Sequence, residues 1–376
     1  MKKVIQVLKP FFRVKETLSE IEECLEKGWT GMGFKTDQFE NEWKKYTGFK
    51  FAHFLNSATS GLHLAVKVHK DNGEWEDDSE IITTSLTFVS TNHAILYENL
   101  NPVFADIDSS LCLDPKSVEN SITKKTKAII YVGIGGNARN YHEIRSICDK
   151  HNLILILDAA HMAGTCWKDT GLQVGLDADC AVFSFQAVKN CPSSDSGMIC
   201  FNSPDLDKSA RRLSWLGIDK TTFDRYTEST YKWKYDVSEL GFKYHGNSIA
   251  AAMCIVALRY LDRDNERRRF LSSLYDQALS CNDSIERIIH SEYIYSSRHL
   301  YQIALDNRDA FIENLSKKGI YCGVHYLANH QYSIYKKFKS NVVMASKYSL
   351  SLVSLPLHIG LTDQDIAYIS NAINSL

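Results

Sequence analysis

The segments 153–164, LILILDAAHMAG, and 180–190, CAVFSFQAVKN, decide the fold. Five aliphatic residues in a row, 153–157, are the pattern of a parallel strand buried on both faces, and Asp158 ends the run, so a carboxylate stands at the strand's carboxyl end. The second run, 181–185, repeats the pattern and carries Ser184, with Lys189 four residues beyond it. Strands linked by a single crossover come side by side, whether that crossover is helix or loop, which places Asp158, Ser184 and Lys189 at one edge of one sheet. Open α/β sheets bind their ligands at that edge.

Upstream, 51–55, 80–84, 103–107 and 127–132 read as strands, with helices over 62–68, 85–96, 114–123 and 141–151 between them. Alternation of this kind predicts a doubly wound parallel sheet. An N-terminal helix over 17–27 stops at Gly28, and a second amphipathic helix begins near Thr36 and Asp37. Between them, Trp29, Thr30 and Gly31 mark either a plain turn or a loop whose backbone must approach another group. Asn56 to Gly61 is rich in small hydroxyl residues and turns into a helix, which makes either an ordinary N-cap or an anion site. Phe88, near a strand end, fits core packing or a platform for a flat ring.

Downstream come a strand at 199–201 and a basic helix with Lys208, Arg211 and Arg212. The polar, aromatic segment 217–244 has the character of a surface loop that covers a site. A helix over 247–261 and a long charged helix over 263–279 lead to a smaller unit, read as strand 301–305, helix 308–318, strand 323–326 and a closing helix from Thr362. The division expected is a large domain, 1–250, and a small C-terminal domain, 251–376, with the N-terminal helix packing on the latter.

The 376 residues suffice for such a core, and 44% hydrophobic with 23% charged residues is an ordinary globular balance. A formal net charge of -2 offers no electrostatic case for nucleic acid or an anionic membrane. No apolar run approaches the roughly 20 residues of a membrane-spanning helix. The start, MKKVIQVLKPFF, lacks a cleavage signal and reads as that of a cytoplasmic protein. Ten cysteines without a C-x-x-C pair point to free thiols, not to zinc or disulfides.

A carboxylate facing a lysine across neighbouring strand ends is the pair that pyridoxal phosphate requires. The lysine amine condenses with the aldehyde, and the aspartate keeps the pyridine nitrogen protonated. Ser57 to Ser60, with Ser184, supply hydroxyls and N–H groups for a phosphate. The glycines of VGIGGN, 132–137, lack the spacing of a dinucleotide fingerprint, which argues against nicotinamide.

At these residues the chain resembles the sugar aminotransferases of the DegT/DnrJ/EryC1/StrS family, within the type I pyridoxal-phosphate fold. GWTGMGFKTDQFE, NSATSGLHLA, SLTFVSTNHAIL, NPVFADID, LDAAHMAGT, FSFQAVKN, GFKYHGNSIAAA, HLYQIAL, GVHY and SLPLHIGLT follow the family's order almost end to end. The resemblance implies a large domain with a mostly parallel mixed sheet flanked by helices, plus a smaller C-terminal α/β domain. It implies that Lys189 is the cofactor-binding lysine and acid/base, that Asp158 pairs with the pyridine nitrogen, that His161 meets the phenolic oxygen, and that Phe88 stacks on the ring. Ala58, Thr59 and Ser184 hold the phosphate, and Asn247 reaches it from the neighbouring subunit of a homodimer. Lysine at 189, where sugar dehydratases of the family carry histidine, implies transamination.

The chain departs from the family pattern at Gly133 to Gly136, at Asn190 to Gly197 and at Gly246 to Ser248, around the expected sugar position. Trp29, Thr30, Gly31, Gly133 and Tyr326 are candidate substrate contacts, and Arg212, Arg225, Lys220 and His325 are the cationic candidates. FSFQAVKN and GIGGN are most similar to a branch that aminates C8 of 8-oxo-3-deoxy-octulosonate for lipopolysaccharide or another surface glycan, with L-glutamate as donor. The alternatives are a nucleotide-linked 3-keto or 4-keto-6-deoxyhexose as acceptor, and a cofactor-binding sensor with no turnover.

Overall fold

The structure is a computed structural model that describes residues 4–218, 235–338 and 340–376. Its main sheet contains β1 (Phe51–Leu55), β2 (Glu80–Thr84), β3 (Asn101–Ala105), β4 (Thr126–Val132), β5 (Ile154–Asp158), β7 (Cys180–Ser184) and β8 (Gly197–Phe201). A two-residue strand, β6 (Cys166–Trp167), lies outside it. The order is β1-β8-β7-β5-β4-β2-β3. All neighbours from β3 to β7 are parallel, while β8 runs antiparallel between β7 and β1. The carboxyl ends of β1, β2, β4, β5 and β7 therefore emerge at one edge, where β8 begins. Register confirms it: Val132 pairs with Asp158, and Gly197 sits between Ser184 and Leu55.

Helices α3 (Ala58–Asn72), α4 (Val89–Tyr97), α5 (Pro115–Ser121) and α6 (Tyr141–His151) make the crossovers among the first five strands. The link from β5 to β7 contains no helix, only turns and β6. Gly171 and Gly175 take left-handed φ values of +70 and +96, and a Cβ on Gly175 would lie 2.1 Å from Leu157 Cδ2, so this crossover folds tightly onto the sheet. β8 is antiparallel because the chain returns from β7 through one short loop, stitched by Phe185 N–H to Ser196 O and Ser193 N–H to Phe185 O.

On one face, α1 (Val14–Glu26) and α2 (Phe34–Thr47) pack with α8 (Ser248–Leu258), after α7 (Pro204–Ser214). Helix α2 starts two residues earlier than its sequence pattern indicates, because the Thr36 hydroxyl accepts Gly33 N–H at 2.9 Å and donates to the Gly33 carbonyl at 2.6 Å. Phe39 and Trp43 meet Phe54 and Phe185 edge-on at 5.2 and 4.9 Å, locking α2 beneath β1 and β7. Within this core, Glu40 accepts from Phe54 N–H at 2.7 Å and from Arg211 Nη2 at 2.8 Å.

The chain continues through α9 (Leu261–Ala278), β9 (Glu286–Arg287) and β10 (Ile294–Tyr295), which pairs with β6. β11 (Tyr301–Ala304), α10 (Arg308–Lys317), α11 (Val343–Ser351), β12 (Leu352–Leu355) and α12 (Asp363–Asn374) follow. β12, β11 and β9 form an antiparallel sheet. Its outer strand is 352–355, not the 323–326 read from the sequence, which makes one bridge, Gly323 to Ser354, before turning toward the main sheet. Helix α1 packs on α8, and the segment before it bridges Ile5 to Ile320, just after α10. All ten cysteines are free thiols, seven of them buried. Among the described residues, no helix is long and apolar enough to cross a membrane.

Candidate active site

At the carboxyl edge of the main sheet lies a cavity of about 460 Å³. The turn after β1 contributes Ser57, Ala58 and Thr59, and the turn after β2 contributes Thr87 and Phe88. Val132 and Gly133 come from β4, Asp158 and His161 from β5, Ser184 and Lys189 from β7. His299, His325 and Tyr326 close the far side, and Leu8 enters from the N-terminus. The sequence candidates Ala58, Thr59, Phe88, Gly133, Asp158, His161, Ser184, Lys189, His325 and Tyr326 thus share one site.

Asp158 is 5% exposed. Burial pushes its carboxyl above the usual range, opposed by Thr91, by Ala160 N–H and by Lys189. Thr91 Oγ1 donates to one oxygen at 2.7 Å and Ala160 N–H to the other at 3.1 Å. Burial also lowers the Lys189 amine to about 8, with Asp158 pulling the other way. The two share the cavity without forming an ion pair, so a group can stand between them. His161 accepts Gly135 N–H on Nδ1 at 3.1 Å, and its Nε2 lies 3.3 Å from Tyr326 Oη. Burial, with Lys189 and His325 nearby, holds this imidazole neutral.

Helix α3 presents its N-terminus to the cavity. Ser57 caps it through Ser60 N–H at 3.1 Å, leaving the amides of Ala58 and Thr59 outside the helical ladder. Gly197 packs against this turn so closely that a Cβ there would lie 2.5 Å from Ala58 N. Gly133 also lies close to its neighbours, since a Cβ there would lie 1.8 Å from Sδ of the Met162 side chain. The divergent GIGG segment thus forms part of the cavity wall, with its backbone bound to His161.

Other candidates lie elsewhere. Trp29, Thr30 and Gly31 dock on α8: the carbonyls of Thr30 and Gly31 accept Ser248 N–H, and Trp29 Nε1 donates to Met32 O. Asn247 caps α8 by accepting Ala250 N–H at 2.9 Å and does not line the cavity. Arg212 is committed to an ion pair with Glu239. Arg225 and Lys220 lie outside the described residues. His325 lines the cavity, but burial and Lys189 lower its pKa to about 4, so it is no cation at neutral pH.

Sequence reasoning missed Thr91 and His299. Thr91 lies three residues after Phe88, on the first turn of α4, a spacing that returns it to the same side. His299 stands in HLYQIAL, where only the resemblance gave it notice.

The model of the DegT/DnrJ/EryC1/StrS aminotransferase family matches residues 13–374. The chain belongs to this family. It is a pyridoxal-phosphate-dependent aminotransferase. It is 31% identical over 375 residues to the spore coat polysaccharide biosynthesis protein SpsC of Bacillus subtilis, covering 96% of this chain and 94% of SpsC. Among solved structures it is similar to Helicobacter pylori PseC, an aminotransferase involved in the biosynthesis of pseudoaminic acid, with a TM-score of 0.90, 26% identity and 99% coverage of both chains. A Streptococcus pneumoniae structure in its PLP form matches with a TM-score of 0.89 and 26% identity over 99% of this chain and 98% of that one.

The cavity of this aminotransferase fits such a cofactor. Phe88 is 56% exposed yet faces the cavity, an aromatic surface available to a flat ring. A buried carboxylate stands at one side and a partly buried amine at the other. The free amides of α3 and the Ser184 hydroxyl line the same space, as a phosphate requires.

Proposed function

We propose that this aminotransferase moves an amino group from L-glutamate to a keto sugar within the cavity around Lys189, as a homodimer in the cytoplasm. The observation that carries the reading is the joint placement of Asp158 and Lys189 in one cavity with the α3 N-terminus. Pyridoxal phosphate supplies the aldehyde that takes up nitrogen and the electron-withdrawing ring. Asp158 holds the ring nitrogen protonated, itself fixed by Thr91 and Ala160 N–H. Lys189, with an amine near 8, takes and returns a proton at Nζ around neutral pH. Phe88 would cover one ring face, and Ala58, Thr59 and Ser184 would hold the phosphate. His161 would offer Nε2–H to the phenolic oxygen. Asn247 of the partner subunit would complete the phosphate site.

The acceptor in this reading is 8-oxo-3-deoxy-octulosonate, aminated at C8 for a surface glycan. The similarity of FSFQAVKN and GIGGN to that branch supports it. A second reading is a nucleotide-linked 3-keto or 4-keto-6-deoxyhexose. Both acceptors keep their charge remote from the reacting carbon, which suits a cavity whose histidines are neutral. Steady-state turnover with L-glutamate and each acceptor in turn distinguishes them, and the absence of octulosonate turnover removes the first. Lys189→Ala is expected to abolish turnover and the shift of the cofactor's visible band on adding L-glutamate; persistence of either overturns the site assignment.

A further inference from the structure

Behind Lys189, a chain of amides runs from α9 into the cavity. Asn265 Nδ2 donates to the carbonyl of Ala163 at 2.9 Å, so its Oδ1 points the other way. That oxygen accepts Asn190 Nδ2 at 2.7 Å, and the same Nδ2 donates to the carbonyl of Ser297 at 2.8 Å. Two backbone carbonyls, which only accept, therefore fix both amide orientations. Asn190 Oδ1 is left facing His299 Nδ1 at 2.8 Å, and an oxygen there requires a proton on Nδ1.

The neighbouring ring is set in the opposite sense. His161 Nδ1 receives Gly135 N–H, so its own proton sits on Nε2. Gly135 also accepts His299 N–H through its carbonyl at 3.0 Å, so this one left-handed glycine binds both histidines. The rings lie 4.3 Å apart, tilted by 36°. The groups that face His299 are His161, Lys189, Arg268 on α9 and His325, with no carboxylate among them. Both imidazoles are buried, and burial with these neighbours keeps each well below its ordinary pKa.

We propose that Asn190 fixes His299 as the Nδ1–H tautomer, so that Nε2 stands in the cavity wall as a neutral hydrogen-bond acceptor beside the Nε2–H donor of His161. Asn190 is a positioning residue that acts through His299. The wall then offers one acceptor and one donor whose protons do not exchange roles during turnover. The acceptor takes an N–H or O–H of a bound substrate, which rests on the transamination reading above. The tautomer assignment does not.

Cofactor-free protein labelled with 15N-histidine tests the assignment. Long-range 15N–1H correlation spectra are expected to show, among the histidines, an Nδ1-protonated ring whose signals disappear in His299→Phe and do not change between about pH 6 and about pH 8. An Nε2–H signal for His299, or a doubly protonated ring in that range, overturns the proposal whatever the activity of the protein. For the holoenzyme, Asn190→Ala and His299→Phe are each expected to lower kcat about tenfold, the scale of one hydrogen bond. The double variant should lose no more than either alone, and losses that multiply to about a hundredfold overturn the action of Asn190 through His299. The half-reaction slowed in His299→Phe, with L-glutamate or with the sugar, names the substrate that supplies the hydrogen; slowing of neither overturns the acceptor role.

Discussion

Replacing Lys189 with methionine in the cofactor-free protein measures what the cavity costs the fold. Burial lowers the amine from 10.5 to about 8, opposed by Asp158. At 1.36 kcal/mol per pH unit, that fall corresponds to about 3 kcal/mol of destabilisation. The side chain is only partly buried, because it lines the cavity, and solvent screening reduces the figure to about 2 kcal/mol. Methionine has a similar reach and no charge, so Lys189→Met removes this cost. Below about pH 8 the lysine is charged in both folded and unfolded chains, and the variant is the more stable by the full amount. Between about 8 and 10.5 the unfolded chain binds a proton that the folded chain does not, so wild-type stability rises with pH relative to the variant. Above 10.5 the gap closes. Thermal unfolding of both proteins at about pH 7 and about pH 10 reads this out, with the variant expected to melt roughly 2–4 °C higher at the lower pH. A variant that melts lower at about pH 7, or a gap of equal size at both pH values, refutes the reasoning.

Glu40→Ala should destabilise the protein by about 2 kcal/mol, because it leaves the buried Phe54 amide without its acceptor and removes one of the two carboxylates paired with Arg211. Burial raises this carboxyl, but Arg211 and His53 outweigh it and hold it at about 2, so the loss is present above about pH 4.5 and fades as pH falls toward 2. Chemical denaturation across that range checks it. Gly197→Ala drives a Cβ against the backbone of Ala58 and should push the α3 N-terminus from the cavity, weakening pyridoxal phosphate binding about tenfold by equilibrium dialysis and lowering the melting temperature by a few degrees. Unchanged affinity would detach that turn from the phosphate.

The aliphatic runs ending at Asp158 and Ser184 are legible in the sequence because a strand buried on both faces leaves no other pattern. Their pairing as neighbours follows from chain connectivity alone. The sequence is silent on the β5–β7 link, where glycine turns replace a helix, and on 352–355, where α11 runs straight into a strand and no turn residues separate the two. It also overrates isolated charges. Arg212 and His325 have the right chemistry for an anion, but an ion pair with Glu239 occupies the first and desolvation neutralises the second.

The stretch 153–189 by itself determined the sheet, the edge that holds the site, and the pair of groups a pyridoxal phosphate enzyme needs, since all three depend on local pattern and order along the chain. Only the tertiary structure decided how protons are held there. Thr91 from α4 fixes Asp158, and Gly135, Asn190 and Asn265, from three separate segments, set the orientation of His161 and His299. Hydrogen-bond direction depends on which donor meets which acceptor across the fold, and no spacing in the sequence encodes that meeting.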